Sequence, residues 1–367
     1  MSEPILKATN LSRHFKVGGS LFRKPKILRA VEDVSLTVQQ GETLAIVGES
    51  GCGKSTLARM LMRLIEPTSG QMTFEGRQID LAQGRALTEL RRDMQFIFQD
   101  PFSSLNPRMT VGRLVGEPIE THAPQLSARE RRAKVAELLA QVGLRPEHAD
   151  RYPHEFSGGQ RQRIGIARAL ASGPKLIIGD EPVSALDVSV QAQVINLLAD
   201  LRDRLGLTLV VIAHDLAVIR HMSDRVAVMY LGSVVEEGGT DDIFARPRHP
   251  YTRALLSAIP VAEYGRTRQQ IPLEGEMPSP LDPPSGCRFH TRCPFARDAC
   301  KTEAPVLRAT DTAPGHRAAC HFFEEIAAEN PPPPATEGSG RTDAARARFA
   351  LYADAIAGTE TRPRAET

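Results

Sequence analysis

A short apolar segment that runs into a glycine-rich turn constrains the fold of this chain more than any other feature. Residues 42–48 read ETLAIVG, and residues 48–55 read GESGCGKS, which matches G-x-x-x-x-G-K-[ST] in full. The apolar-periodic stretch TLARMLMRLI follows at 56–65. Together these segments predict a strand, a loop and a helix in series. Glycines let backbone N–H groups turn toward phosphate oxygens, and the helix N-terminus favours the same anion.

The residue types in this loop predict a nucleotide site. Lys54 is expected to reach the β- and γ-phosphates, and the Ser55 hydroxyl is expected to bind Mg²⁺. A glycine-rich turn that matches by chance is the alternative, but the flanking strand and helix supply the context that the pattern requires. The candidate nucleotide contacts in this segment are Gly48, Glu49, Ser50, Gly51, Cys52, Gly53, Lys54, Ser55 and Thr56.

Two acids end a second apolar run, LIIGDE, at residues 176–181. Consecutive strand residues point to opposite sides, so the two carboxylates are predicted to have separate roles. Asp180 suits Mg²⁺ coordination through water, and Glu181 suits polarisation of an attacking water as general base. His214 ends a third run, VVIAH. A lone histidine at a strand end is often structural, but we favour a sensor that holds the γ-phosphate and the water in line.

Three apolar runs indicate the fold class. They are KLIIGD at 175–180, LTLVVIAH at 207–214 and RVAVMYLG at 225–232. Helical segments separate these runs, which predicts buried parallel strands joined by crossover helices in an α/β fold. Residues 16–29 are predicted to form a basic loop between two strands, and residues 107–170 to be mostly helical.

Composition excludes several classes of function. Lys+Arg number 46 against 44 Asp+Glu, with no long basic run, so no nucleic-acid partner is expected. No stretch approaches the ~18–20 continuous apolar residues of a membrane span. The N-terminal MSEPILKATN lacks the charged-then-apolar pattern of a signal peptide. We therefore expect the chain to remain in the cytoplasm and not to cross a membrane itself.

A second glycine-rich helix start, FSGGQ at 156–160, lies far along the chain from the first. A serine hydroxyl and backbone amides at a helix N-terminus again make an anion site. A second such site is unexpected for a fold that binds one nucleotide, but it suits a nucleotide held by another subunit. Here the chain resembles the ATP-binding subunits of ABC transporters, whose signature LSGGQ has Leu where Phe156 stands. The candidate contacts are Ser157, Gly158, Gly159 and Gln160.

The resemblance implies roles for further residues, in matching order over about residues 5–245. Phe15 resembles the aromatic residue that stacks on adenine, although it also suits a core position. Gln99 resembles the glutamine that contacts Mg²⁺ and relays to the membrane subunits, although it also suits a solvated loop. The segment SALD at 184–187, which ends in Asp187, resembles the loop that crosses the dimer interface. Gly179 departs from the family pattern, in which an apolar residue or Cys precedes the aspartate.

The resemblance also implies the architecture. It predicts a P-loop NTPase domain of the ABC ATPase type, with a RecA-like parallel sheet core, an antiparallel β subdomain and an α-helical subdomain. We expect this ATP-binding domain over 5–255 and a small Cys-rich C-terminal extension over 256–325. The remaining 326–367 contains NPPPPATEGSG, whose composition predicts a disordered tail.

Further motifs resemble the peptide/nickel importer group. They are PFSSLNP after Gln99, the run VSALDVSVQAQ, and HPYT at 249–252 followed by RALLSAIP. The closest likeness is to the second ATPase of dipeptide and oligopeptide systems. That likeness implies two membrane permease subunits, a homologous sister ATPase and an extracytoplasmic binding protein, with this chain on the cytoplasmic face of the membrane. Other cargoes stay open: nickel, glutathione or an oligosaccharide. A soluble, non-transport ABC ATPase is a third, less favoured alternative.

Four of the 5 cysteines form a late cluster with the spacing C-x5-C-x6-C-x19-C. Clustered reduced cysteines favour metal over disulfide, and four thiolates suit zinc or an iron–sulfur cluster. Unliganded buried thiols are the other alternative. The importer group carries a 4Fe–4S cluster here in some members, which favours that ligand. The cluster is Cys287, Cys293, Cys300 and Cys320, with His290, His316 and His321 as competing zinc ligands.

Overall fold

The computed structural model describes residues 3–19, 25–214, 216–259, 271, 273 and 275–330. The chain divides into one unit over residues 1–330 and a second over residues 331–367. The second unit, which holds most of the predicted tail, lies outside the described residues. Part of the predicted basic loop, residues 20–24, also lies outside them.

Twelve strands, twelve α-helices and three short 3₁₀ helices are found in the described part of the chain. The strands are β1 Leu6–Val17, β2 Lys26–Val38, β3 Thr43–Val47, β4 Ser69–Phe74, β5 Arg77–Gln78, β6 Met94–Ile97, β7 Leu176–Asp180, β8 Thr208–Ala213, β9 Arg225–Tyr230, β10 Ser233–Gly239, β11 Arg308–Ala309 and β12 Arg317–Ala318. The helices are α1 Lys54–Leu61, α2 Gly84–Asp93, α3 Pro101–Ser104, α4 Val111–His122, α5 Ala128–Gln141, α6 Gly158–Leu170, α7 Val188–Leu205, α8 Leu216–Ile219, α9 Thr240–Ala245, α10 Pro250–Ser257, α11 Asp298–Thr302 and α12 Phe323–Glu329.

The main sheet confirms the predicted parallel core. Its strand order is β11-β12-β10-β9-β3-β8-β7-β6. The five strands from β9 to β6 run parallel, and β7, β8 and β9 coincide with the three predicted apolar runs. Every residue of β3, β7 and β8 is buried, because helices cover both faces of such a sheet. The register pairs Val47 with Ala213 and Asp180 with Ile212. The carboxyl ends of β3, β8 and β7 therefore meet at one edge.

A second sheet is antiparallel and has the order β2-β1-β4-β5. Residues of β1 and β2 that lie in the predicted basic loop are instead paired as a hairpin, with Lys16 opposite Ile27 and Val17 opposite Lys26. The apolar side chains of this sheet share one core with β3 and α1. Its backbone therefore lies close enough to the first glycine-rich turn to contact it.

Helices α4, α5 and α6 lie within residues 107–170, the region predicted to be mostly helical, and the short helix α3 precedes it. The apolar side chains of α4, α5, α6 and α7 share a second core. Helix α5 starts at a capping box in which the Ser127 hydroxyl accepts from the backbone N–H of Glu130 and the Glu130 carboxylate accepts from that of Ser127. Such reciprocal caps satisfy free backbone donors and set where the helix begins.

The cysteine-rich extension extends the main sheet. Its hairpin β11–β12 pairs with β10, placing Glu236 opposite Ala318 and Glu237 opposite Arg317. His316 and Glu236 are both fully buried, with His316 Nε2 2.8 Å from Glu236 Oε1. Helix α12 continues to Glu329, so residues 326–329, predicted as the start of the tail, are helical. Within the described ranges, no helix has the length and apolar character to cross a membrane.

Candidate active site

The glycine-rich turn joins the end of β3 to the start of α1, as predicted. Gly48, Gly51 and Gly53 have φ of 151°, 79° and 106°. A Cβ atom on Gly48 would lie 2.2 Å from the Met229 carbonyl oxygen, and one on Gly53 would lie 2.2 Å from that of Ala30. Only glycine fits at these two positions, because the neighbouring backbone and the positive φ both exclude a side chain.

The two polar residues after the last glycine point into the turn. Lys54 is 4% exposed, and its Nζ donates to the carbonyl oxygens of Gly48 and Glu49 at 2.8 and 2.9 Å. The Ser55 hydroxyl donates to Asp180 Oδ1 at 2.8 Å. The turn and the end of β7 are thus joined by a side-chain contact across 125 residues.

Asp180 and Glu181 lie in different environments, as the alternation along a strand predicts. Asp180 is 2% exposed. Burial raises the pKa of its carboxyl, and the hydrogen bond from Ser55 opposes that shift. Glu181 follows the strand with φ of 46°, an uncommon conformation for a residue with a side chain. Its backbone N–H donates to the Ile212 carbonyl at 3.1 Å, which holds the strained residue beside β8.

The other two predicted catalytic residues, Gln99 and His214, converge on the Glu181 carboxylate. Gln99 Nε2 donates to Glu181 Oε2 at 2.8 Å. His214 Nδ1 lies 3.7 Å from the same oxygen, and its side chain is 57% exposed. Gln99 follows β6, Glu181 follows β7 and His214 follows β8, so three neighbouring strands deliver these side chains to one place. Such a set suits an acid–base step at a group that enters from solvent.

Gly179, the departure from the family pattern, has a local reason. A Cβ at this position would lie 3.2 Å from Cγ of Pro182. The glycine therefore makes room for the proline that follows the two acids.

The second glycine-rich helix start lies against the loop that contains Asp187. Ser157 caps α6 through a capping box with Gln160. A Cβ on Gly159 would lie 2.3 Å from Cγ1 of Val190. Asp187 caps α7 by accepting from the backbone N–H of Val190 at 3.0 Å. The phosphate loop joins β3 to α1, whereas residues 157–160 begin α6, so the two predicted anion sites lie on different elements of the fold.

Phe15 lies on β1, opposite Leu28 of β2. It is partly exposed, and the Arg13 guanidinium lies 4.5 Å from its ring centroid. The Arg13 guanidinium thus lies over this partly exposed ring, and the adenine contact stays a prediction.

Sequence reasoning missed two residues that contact the glycine-rich turn. The backbone N–H of Glu49 donates to the Tyr251 hydroxyl at 2.8 Å. The Glu49 carboxylate pairs with the Arg292 guanidinium. Both partners lie more than 200 positions along the chain from Glu49, at separations of 202 and 243. The HPYT motif marked the region of Tyr251, but no local pattern marked Arg292.

The four clustered cysteines line a single cavity. Its wall is formed by His249, Pro250, Cys287, Phe289, His290, Cys293, Phe295, Cys300, Cys320, His321, Phe322 and Ile326. Burial raises the pKa of the Cys293 thiol to about 12 and that of Cys320 to about 11. Among the described residues, however, no group of three or more His, Cys, Asp or Glu is placed to hold a metal ion.

The histidines predicted to compete for zinc have other contacts. His316 lies between Glu236 and the Thr312 hydroxyl, at 2.8 and 2.6 Å. His290 Nδ1 lies 2.8 Å from the Cys287 carbonyl oxygen, and His321 Nε2 lies 3.0 Å from that of Glu303. These contacts fix the three rings without a metal.

Comparison with known proteins agrees with this geometry. Residues 31–184 match the family described as ABC transporter, and residues 235–300 match the oligopeptide/dipeptide transporter C-terminal region. The probable peptide ABC transporter ATP-binding protein y4tS of Sinorhizobium fredii is 54% identical over 91% of this chain and 94% of its own length. The oligopeptide transport ATP-binding protein AppF of Bacillus subtilis is 52% identical over 88% and 98%.

A solved structure of an ATP-binding cassette has the same fold. The ATP-binding cassette MJ0796, determined as a dimer bound to ADP and Pi, superposes with a TM-score of 0.58 at 33% identity. The match covers 64% of this chain and 98% of that one. The fold and the site therefore define a P-loop ATPase. The chain belongs to the ATP-binding, ATP-hydrolysing subunits of ABC transporters, in the group that carries the oligopeptide/dipeptide C-terminal region.

We predict that Gly53→Ala destabilises the phosphate loop by about 1–3 kcal/mol, because Ala must adopt a positive φ and displace the Ala30 carbonyl. Gly165→Ala is the matched control. Gly165 lies within α6 with nothing within 4 Å of an added Cβ, so that change is expected to stabilise the chain by up to about 1 kcal/mol. Thermal unfolding of both variants measures the difference. Equal shifts in the same direction would contradict the assigned loop geometry.

Proposed function

We propose that this chain powers the import of dipeptides or oligopeptides across the cytoplasmic membrane by converting ATP and water to ADP and phosphate. The observation that carries the proposal is the pairing of a complete phosphate loop with the C-terminal region named for oligopeptide and dipeptide transporters. The names of relatives at about half identity point to the same cargo class. The alternative cargoes are nickel, glutathione and an oligosaccharide. They stay open because the ATPase subunit does not itself contact the transported molecule.

The proposed nucleotide site is built from the edge where β3, β8 and β7 end. Lys54 and the amides of the phosphate loop bind the phosphates, and Phe15 stacks on the base. Ser55 and Asp180 fit Mg²⁺, because a hydroxyl and a buried carboxylate 2.8 Å apart are oxygen donors of the kind this ion prefers. The ion supplies charge neutralisation at the β- and γ-phosphates when bound. Gln99 is the further proposed contact with the ion.

Glu181 is the proposed general base. Its strained backbone and its contacts with Gln99 and His214 fix the carboxylate where water enters from solvent. The carboxylate takes a proton from the attacking water, which then adds to the γ-phosphorus as the bond to ADP breaks. His214 holds the phosphate and water in line and does not need to act as the base.

The proposed partners follow from the second anion site. Residues Ser157 to Gln160 and Asp187 form one connected surface, separate from the phosphate loop, and we assign them to a nucleotide held by a homologous sister ATPase. ATP binding then closes the pair and hydrolysis reopens it. Two membrane permease subunits, an extracytoplasmic binding protein and a position on the cytoplasmic face of the membrane complete the proposal. No nucleic-acid partner is included.

We also propose that Cys287, Cys293, Cys300 and Cys320 hold a 4Fe–4S cluster. The support is that four thiols line one cavity and that a set of four cysteines suits this ligand. Burial raises the pKa of Cys293 and Cys320, and cysteine binds metal as the thiolate, so cluster binding must displace protons from these thiols. The cysteine side chains must also rearrange, because no metal-binding arrangement is found among the described residues.

Glu181→Gln is expected to retain ATP binding and to lower kcat about a hundredfold or more, because the amide cannot take a proton from water. Glu89→Gln is the control, since Glu89 is an exposed acid on α2 that pairs with Arg85. ATP binding and steady-state hydrolysis by the assembled transporter measure the two effects. Unimpaired ATP hydrolysis by Glu181→Gln would show that Glu181 is not the general base.

The cargo is tested by uptake of labelled dipeptides and oligopeptides in cells that express the wild-type chain or Glu181→Gln. Peptide accumulation with the wild type and its loss with the variant are expected. If cells accumulate nickel, glutathione or an oligosaccharide but no peptide, the proposed peptide cargo is wrong, and the ATPase assignment is unchanged.

Iron and acid-labile sulfide analysis of the anaerobically purified full chain tests the cysteine cluster, together with its visible absorption. Cys293→Ala is expected to lose both iron and the visible band. Cys52→Ala should retain them, because Cys52 is the remaining cysteine and lies in the phosphate loop. Absence of iron from the wild type would contradict the proposal.

A further inference from the structure

The C-terminal extension reaches the phosphate loop through a pair of hydrogen-bonded charges. Arg292 Nη1 donates to Glu49 Oε2 at 2.6 Å, and Arg292 Nη2 donates to Glu49 Oε1 at 3.1 Å. The Arg292 side chain is 5% exposed and that of Glu49 is 29% exposed. A bidentate, shielded pair of this kind is stronger and more directional than an exposed ion pair.

The arginine is itself held in place. It ends the short 3₁₀ helix His290–Arg292, between two of the clustered cysteines. Its guanidinium lies 5.9 Å from the ring centroid of Tyr230. That ring packs edge-on against Tyr251 and Phe289, with centroids 4.8 and 5.2 Å away. The guanidinium that reaches Glu49 therefore lies beside a fully buried aromatic cluster.

The same aromatic cluster holds the main chain at Glu49. The Tyr251 hydroxyl accepts from the Glu49 backbone N–H. Both the backbone and the side chain of one loop residue are therefore fixed by residues from the C-terminal part of the chain. Met277 also lies near the loop, since its Cε would be 3.4 Å from a Cβ added to Gly51.

Charge gives this contact a consequence for nucleotide binding. Glu49 is the sole acid among loop residues 48–55. Without a partner, its carboxylate would repel a triphosphate bound in the same loop, and burial strengthens that repulsion. Arg292 neutralises the carboxylate and holds it on the side of the extension.

We propose that Arg292 is a positioning residue for the phosphate loop: by holding the Glu49 carboxylate, it lets the loop accept the phosphates of ATP. The inference rests on the proposed nucleotide site. Its structural alternative is a staple that only attaches the extension to the core. The positioning role and the purely structural role predict different results when the Glu49 charge is also removed. Loss of that charge relieves its repulsion of the phosphates, but it cannot restore the lost attachment between the extension and the core.

The test compares ATP binding to the full-length purified chain by calorimetry. Arg292→Ala is expected to weaken ATP affinity about tenfold, a loss within the range measured for coupled charged neighbours. The double variant Glu49→Gln/Arg292→Ala is expected to recover most of that loss. Arg297→Ala is the matched control: Arg297 lies in the same extension and pairs with Glu325 at 2.6 Å, with both side chains substantially exposed. It should bind ATP like the wild type.

Two outcomes would overturn the inference. One is ATP affinity of Arg292→Ala within twofold of the wild type, and the other is a double variant as weak as Arg292→Ala alone. Thermal unfolding without nucleotide identifies any general loss of folding, which the double variant would share with the single one. Lys54→Ala separates the two proposals. If it binds ATP normally, the nucleotide site itself is wrong, whereas normal binding by Arg292→Ala beside a defective Lys54→Ala rejects the role of Arg292 only.

Discussion

The register of neighbouring parallel strands is the constraint on which the rest of this structure depends. Strands β3, β8 and β7 lie side by side, with Val47 beside Ala213 and Ile212 beside Asp180. Parallel strands deliver whatever follows them to the same edge of a sheet. The phosphate loop, His214 and Glu181 meet there for that reason. A shift of one residue in the register would turn every side chain to the opposite face and would separate these groups.

The sequence predicted what local chemistry determines and missed what distant contacts determine. The phosphate loop, the apolar strands and the acids after β7 all follow from short patterns, and each lies where it was expected. The Glu49–Arg292 pair spans 243 residues, so no periodicity or motif marks it. The loop predicted over 16–29 was wrong at its ends, because cross-strand pairing extends β1 to Val17 and begins β2 at Lys26.

Two of the contacts between the C-terminal extension and the ATPase core matter most for the site. Its hairpin lengthens the main sheet beside β10, where the buried Glu236 carboxylate accepts from the backbone N–H groups of Arg248 and His249. Arg292 connects the same extension to the phosphate loop through the Glu49 carboxylate. A buried carboxylate needs several donors to remain in the core, which explains why these contacts gather around Glu236. The extension therefore contacts both the main sheet and the phosphate loop.

We propose that this chain builds half of each ATP pocket, with the phosphate loop on one surface and Ser157 to Gln160 on another. The most direct measurement is the specific rate of ATP hydrolysis by the purified chain as its concentration rises, and again after assembly with the sister ATPase and the permeases. We expect the monomer to hydrolyse ATP slowly and the rate to increase greatly when it associates with the sister ATPase and the permeases. A full and constant rate from the isolated monomer would contradict it.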